Sequence, residues 1–221
     1  MTESPTPRIF LRPVGSPLTV GMSGLAIASL VQSGLDLHWV VRAQTHDVGL
    51  ILLSVPFVLQ LVACVFTYLA RDGATAAAVG VLSGSWLAEG LVHLTSTPGS
   101  RSGALGLMLL GSAAMLLLSS AAVSLAKPAV GPVFALAGLR FIAAGVYYLG
   151  APSTWRTASG IIGLVVVATA GYCVIAFELE GQLHRAVLPT FRRGRGLAAT
   201  AGPPTAAVDG LSHEAGVRQT T

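Results

Sequence analysis

The chain has 221 residues, 53% of them hydrophobic and only 10% charged, with a mean hydropathy of +0.74. Soluble domains carry about a quarter charged residues, so a water-soluble globule is excluded. The net charge of +4 does not point to nucleic acid, because the basic residues flank apolar runs and form no patch.

Six apolar runs follow in chain order. Val14 to Leu35 carries no charge and is too long for the apolar segment of a cleaved signal, so it reads as a first span. Val48 to Ala70 is the second, with Pro56 and Gln60 inside it, and Ala74 to Leu94 the third, carrying Glu89 and His93. Ala104 to Ala126 is the fourth, and Val130 to Leu149 the fifth, interrupted by Arg140. Thr157 to Phe177 is the sixth. Each approaches the ~20 residues that cross a ~30 Å hydrocarbon core as a helix. They are too long, and lack the alternation, for strands of a membrane barrel. The connections "RDG", "TPGSRSG", "KPAVGP" and "APSTW" are short turn sequences.

The expected fold is therefore an all-α integral membrane protein, with six transmembrane helices in one bundle over residues 14–191. Residues 1–13 precede it, and the Pro/Gly-rich basic stretch 192–221 reads as a disordered tail. With both termini in the cytoplasm, Arg8, Arg12, Arg71, Lys127, Arg185, Arg192, Arg193, Arg195 and Arg218 lie inside. Arg42, Arg101 and Arg156 then lie in outer loops, as the positive-inside rule requires.

Small residues suggest where helices approach closely: Ala76, Gly80 and Gly84 at four-residue spacing, Gly21 with Gly24, Gly111 with Ser112, and Gly160 with Gly163. Cys64 and Cys173 lie in apolar runs without metal-ligand spacing and read as small packing residues. No catalytic triad, metal cluster or phosphate loop appears, so neither an enzyme nor a cofactor is expected.

The informative residues are the polar ones at bilayer depth. Trp86, Glu89 and His93 share one helix face, and Arg140 is too central in its span to reach either interface. A buried charge of this kind costs roughly 2.5 kcal/mol or more on insertion scales, so it is expected to have a partner or a task. Glu89 and Arg140 are expected to meet. Two readings stay open: an ion pair that locks two helices, with His93 as hydrogen-bonding neighbour, or Arg140 attracting a small anion while Glu89 or His93 takes a proton. Asp36 and His38 close the first span at the interface, where solvated charge is ordinary. Gln60 is either a helix–helix hydrogen bond or a pore-side ligand.

The segment "IGLVVVATAGYCVIAFELEGQLHRAVLP", Ile162 to Pro189, resembles the last helix and exit segment of the acetate uptake transporter family, the succinate–acetate permeases. Gly163-Leu164, Ala168, Ala170, Tyr172 and the closing Arg185-x-Val187-Leu188-Pro189 carry the resemblance. It implies a six-helix protomer, a homohexamer in the plasma membrane and one pore per protomer. The implied solute is a small monocarboxylate such as acetate, in some members succinate, usually with a proton.

Departures accompany it. Only Pro17 and Leu18 survive of the family's N-terminal Asn-Pro-Ala-Pro-Leu-Gly-Leu signature, and Pro56-Phe57 replaces a glycine pair. Of the family's pore-narrowing Phe, Tyr and Leu, the first two correspond to Ser23 and Ser83, and the third to Leu136 or Ala137. The candidate pore residues are thus Ser23, Gln60, Ser83, Trp86 and Arg140, with Glu89 and His93 for proton coupling. The alternatives are a non-transporting sensor or structural subunit, and a small neutral-solute channel. A centre filled by Phe57, Trp86 and Phe141 would favour the former. A continuous polar path past Ser23, Gln60 and Ser83 would favour transport.

Overall fold

In a computed structural model, which describes residues 16–183 and 186–194, the apolar runs become helices. They are α1 (Pro17–Asp36), α2 (Thr45–Ser54, after a 3₁₀ turn at Arg42–Gln44), α3 (Pro56–Leu69), α4 (Gly73–Thr95), α5 (Gly103–Ala126), α6 (Gly131–Tyr148) and α7 (Ser153–Leu183). Counting α2 and α3 as one span, six are long and apolar enough to cross a membrane. No strand occurs among the described residues. The segment expected at residues 1–13 and the tail expected beyond Gly194 lie outside the described residues.

Local chemistry sets the helix ends. Pro17, Pro56 and Pro132 open α1, α3 and α6, where a missing N–H matters least. Asp72 caps α4 by accepting from the Thr75 amide at 3.4 Å, and Ser102 caps α5 from Leu105 at 3.3 Å. The second span differs from the continuous helix expected. Pro56 cannot donate to the preceding turn, and the span breaks at Val55 (φ −118, ψ −71). The sixth helix is longer than expected, beginning at Ser153, which brings Arg156 inside its first turn.

The spans close into a ring. α1 packs on α7 and α3, α2 and α3 pack on α4, and α4 packs on α5, followed by α5 on α6 and α6 on α7. Glycines permit the tightest crossings, where a Cβ on either partner would nearly touch the other's backbone. Gly106 and Gly145 join α5 to α6 this way, each hypothetical Cβ lying 2.9 Å from the partner's carbonyl oxygen. Gly49 and Gly90 do the same for α2 and α4, at 2.8 and 3.0 Å. Gly160 and Gly163 seat α7 on α1 as expected, whereas Gly84 and Gly111 face open space and seat nothing. Both cysteine thiols donate to backbone carbonyls, Cys64 to Ala76 and Cys173 to Ala129, in keeping with packing roles.

The end of the ring holding the start of α1 also holds Arg71, Lys127 and Arg192. Lys127 is ion-paired and hydrogen-bonded to Asp72. Arg192 binds Glu180 at 2.9 Å, and Arg193 donates its amide to the Ala126 carbonyl, so the first residues assigned to the tail are fastened to the bundle.

Candidate functional site

Inward-facing residues recur at three- and four-residue steps. On α1 they are Met22, Leu25, Ser29, Gln32 and Asp36, and on α4 Leu82, Trp86, Glu89 and His93, all buried. α6 adds Phe134, Arg140 and Phe141. At the ring's opposite end from the start of α1, a vestibule of about 30 Å³ is lined by Gln32, Asp36, Arg42, His93, Tyr148 and Arg156 among others. That is room for about two waters.

Asp36 corrects the expectation of a solvated interfacial charge. It is 5% exposed, and its carboxylate accepts from Arg156 Nε at 3.3 Å and from the Ser159 hydroxyl at 3.1 Å. Arg156 also donates to the Leu35 carbonyl at 2.6 Å. The buried ion pair of this end thus joins α1 to α7. Arg156 is a wall residue and not an outer-loop charge.

Arg140 and Glu89 are both at the centre, yet they do not pair. Neither oxygen of Glu89, and none of Nε, Nη1 and Nη2 of Arg140, has a hydrogen-bond partner in the protein. The Arg140 guanidinium instead lies 5.1 Å from the Trp86 ring and 5.5 Å from that of Phe141, which themselves meet edge-on at 5.4 Å. Its side chain packs against Gly163, whose missing Cβ leaves room for it and for Ser33. Each cation–π contact is worth about 0.5–2 kcal/mol, while an unmet buried charge costs more than the 1–3 kcal/mol of a neutral group. The aromatic rings alone therefore do not satisfy the guanidinium. Ser29 and Ser33 hydroxyls and the Trp86 indole N–H are buried without protein partners too. Together with Arg140 and Glu89 they form a buried polar cluster, or chamber, beside the Trp86 and Phe141 rings. His93 stands between chamber and vestibule, donating from Nε2 to Gln32 Oε1 at 3.1 Å.

Ser23, Gln60 and Ser83 do not form a continuous polar path. Ser23 donates to the Thr19 carbonyl of its own helix at 2.9 Å. Gln60 Nε2 reaches the Gly21 carbonyl at 3.1 Å, and Ser83 that of Phe57 at 3.0 Å, so these two clip neighbouring helices together. Phe57 is only half-buried and outside the centre, where Trp86, Phe134 and Phe141 stand fully enclosed. Aromatic rings therefore fill the centre from other positions than Ser23 and Ser83. Sequence reasoning missed Ser29, Gln32, Ser33 and Arg156. The signal was there in part, since Ser29, Gln32 and Asp36 share one helix face. Among the described residues no three His, Cys, Asp or Glu side chains gather as a metal site.

Comparison by sequence finds no matching protein family and no matching curated protein. Comparison of folds does find a relative. The chain is similar to the bacterial acetate channel SatP, with a TM-score of 0.71 over 80% of this chain and 99% of that one, at 17% identity. The six-helix fold implied by the resemblance of the sixth span is thus the fold observed, and the chain shares it with a bacterial acetate channel.

Proposed function

We propose that the protein passes a small monocarboxylate, with acetate the first candidate, along the axis of its helix ring. The observation that carries this reading is the unpartnered Arg140 guanidinium on the ring axis, inward of a vestibule that Arg42 leaves net cationic beside the Asp36–Arg156 pair. A carboxylate of acetate size would give Arg140 the charged acceptor that the protein withholds. The likeness to an acetate channel supports the same solute. Succinate, with two charges to desolvate, is the poorer substrate for a chamber holding one unpaired cation.

Proton coupling belongs to this proposal. Glu89, whose oxygens have no partner, takes the proton that travels with the anion, and His93 hands it inward from the vestibule. In the proposed setting the protomer sits in the plasma membrane as a homohexamer with both termini cytoplasmic. The placement of Arg71, Lys127 and Arg192 at one end supports that orientation.

The test is uptake of labelled acetate into proteoliposomes, with and without an inward proton gradient. Gradient-stimulated uptake, lost in Arg140→Gln, is the expected result. No uptake from folded protein overturns the reading. One observation favours a second reading, a non-transporting membrane subunit on the same scaffold: Trp86, Phe134 and Phe141 fill the centre. A neutral-solute channel gives Arg140 no use.

A further inference from the structure

In the ring, α1 and α4 touch at few points, such as Gly21 beside Val79, because the second span packs between them over most of their length. A side-chain bond between them on their buried faces spans the inner side of that wall. Gln32 and His93 make that bond, at 3.1 Å and both buried. It is also a boundary. On one side, Gln32 and His93 line the vestibule together with Asp36, Arg42, Tyr148 and Arg156. On the other, one turn deeper on each helix, Ser29 and Glu89 are fully enclosed and have unpartnered oxygens. None of the deeper residues lines the vestibule.

We propose that the Gln32–His93 hydrogen bond is a crossbar that closes the Arg140 chamber to the vestibule and opens when an arriving anion takes its place on His93. This rests on the transport reading and names the gate of that same pathway. The chemistry is an exchange of acceptors. The His93 N–H now donates to a neutral amide oxygen, and a carboxylate is a stronger acceptor for the same hydrogen. Arg156 is held by Asp36 and the Leu35 carbonyl, so it stays in the wall, and Arg42 supplies the vestibule's net positive charge. The α4 backbone is fixed as well, since a Cβ at Gly49 would lie 3.0 Å from the Cβ of His93. What moves is the pair of side chains. Closure by a breakable polar bond lets the solute itself open the chamber.

The test reads access to the chamber directly. Ser29→Cys is placed in full-length protein carrying Cys64→Ala and Cys173→Ala, and its reaction with a charged methanethiosulfonate reagent is timed in detergent. The closed crossbar protects the thiol. Gln32→Ala or His93→Ala raises the labelling rate about tenfold, as expected for losing one hydrogen bond. The exchange Gln32→His with His93→Gln rebuilds the bond and restores protection, which separates a gate from damaged folding. Unchanged labelling in both alanine variants, or a thiol already reactive with the bond intact, overturns the crossbar even where acetate is transported. Faster labelling in protein that moves no acetate sustains the crossbar and removes acetate as the solute.

Discussion

Asp36 and Arg156, 120 positions apart in the chain, form a buried ion pair that fastens the end of α1 to the first turn of α7. Removing one member strands the other's charge in an apolar wall. Asp36→Asn or Arg156→Gln is expected to cost about 3–5 kcal/mol. The double variant Asp36→Asn with Arg156→Gln should recover most of it. Thermal unfolding in detergent, arranged as a double-mutant cycle, measures the coupling, and additive losses would refute it.

Arg140 should behave in the opposite way. It has no hydrogen-bond partner to lose, so Arg140→Met removes an uncompensated buried charge and leaves thermal stability equal or higher. Acetate uptake by the same variant should fall at least about tenfold, the effect of losing one charged contact. A variant that loses both stability and uptake would return Arg140 to a structural role.

Glu89→Gln keeps the shape of a side chain whose oxygens bond to nothing in the protein. The variant should assemble normally and transport acetate at a rate that no longer responds to an inward proton gradient. Retained stimulation by the gradient would remove Glu89 from proton coupling.

The glycine crossings make a contrast within one protein. Gly145→Ala places a Cβ 2.9 Å from the Gly106 carbonyl and from Leu110, and overpacking there should cost about 1–3 kcal/mol. Gly84→Ala meets nothing within 4 Å and should stabilise α4 by up to about 1 kcal/mol. Melting temperatures of the two variants, shifted in opposite directions, would bear this out.

The spans were legible because lipid as solvent demands long uncharged runs, and each run became helix within a few residues of its expected limits. Pro56 was visible too, but a proline inside a span does not by itself say whether the helix bends or breaks. The site was half legible. Trp86, Glu89, His93 and Arg140 announce themselves as polar or aromatic groups at bilayer depth, and all are buried. Pairing them by counting charges failed, because the interior holds four formal charges. Asp36 and Arg156 sit near the ends of their apolar runs, where a linear sequence looks like an interface. Only the long α7 and its glycines against α1 show that they are enclosed. The aromatic centre escaped an alignment with family positions because its rings come from other rungs of α4 and α6 and none comes from α1.

The break at Val55 has a mechanical meaning for the molecule. A continuous helix is a strut, and a push at one end arrives at the other. The second span is two shorter rods, the one nearer the vestibule clasped to α4 through Gly49 and Gly90, the other held to α1 through Gln60. Along that wall the joint at Val55 and Pro56 is a missing rung in the backbone ladder, the place where the wall has least resistance to bending.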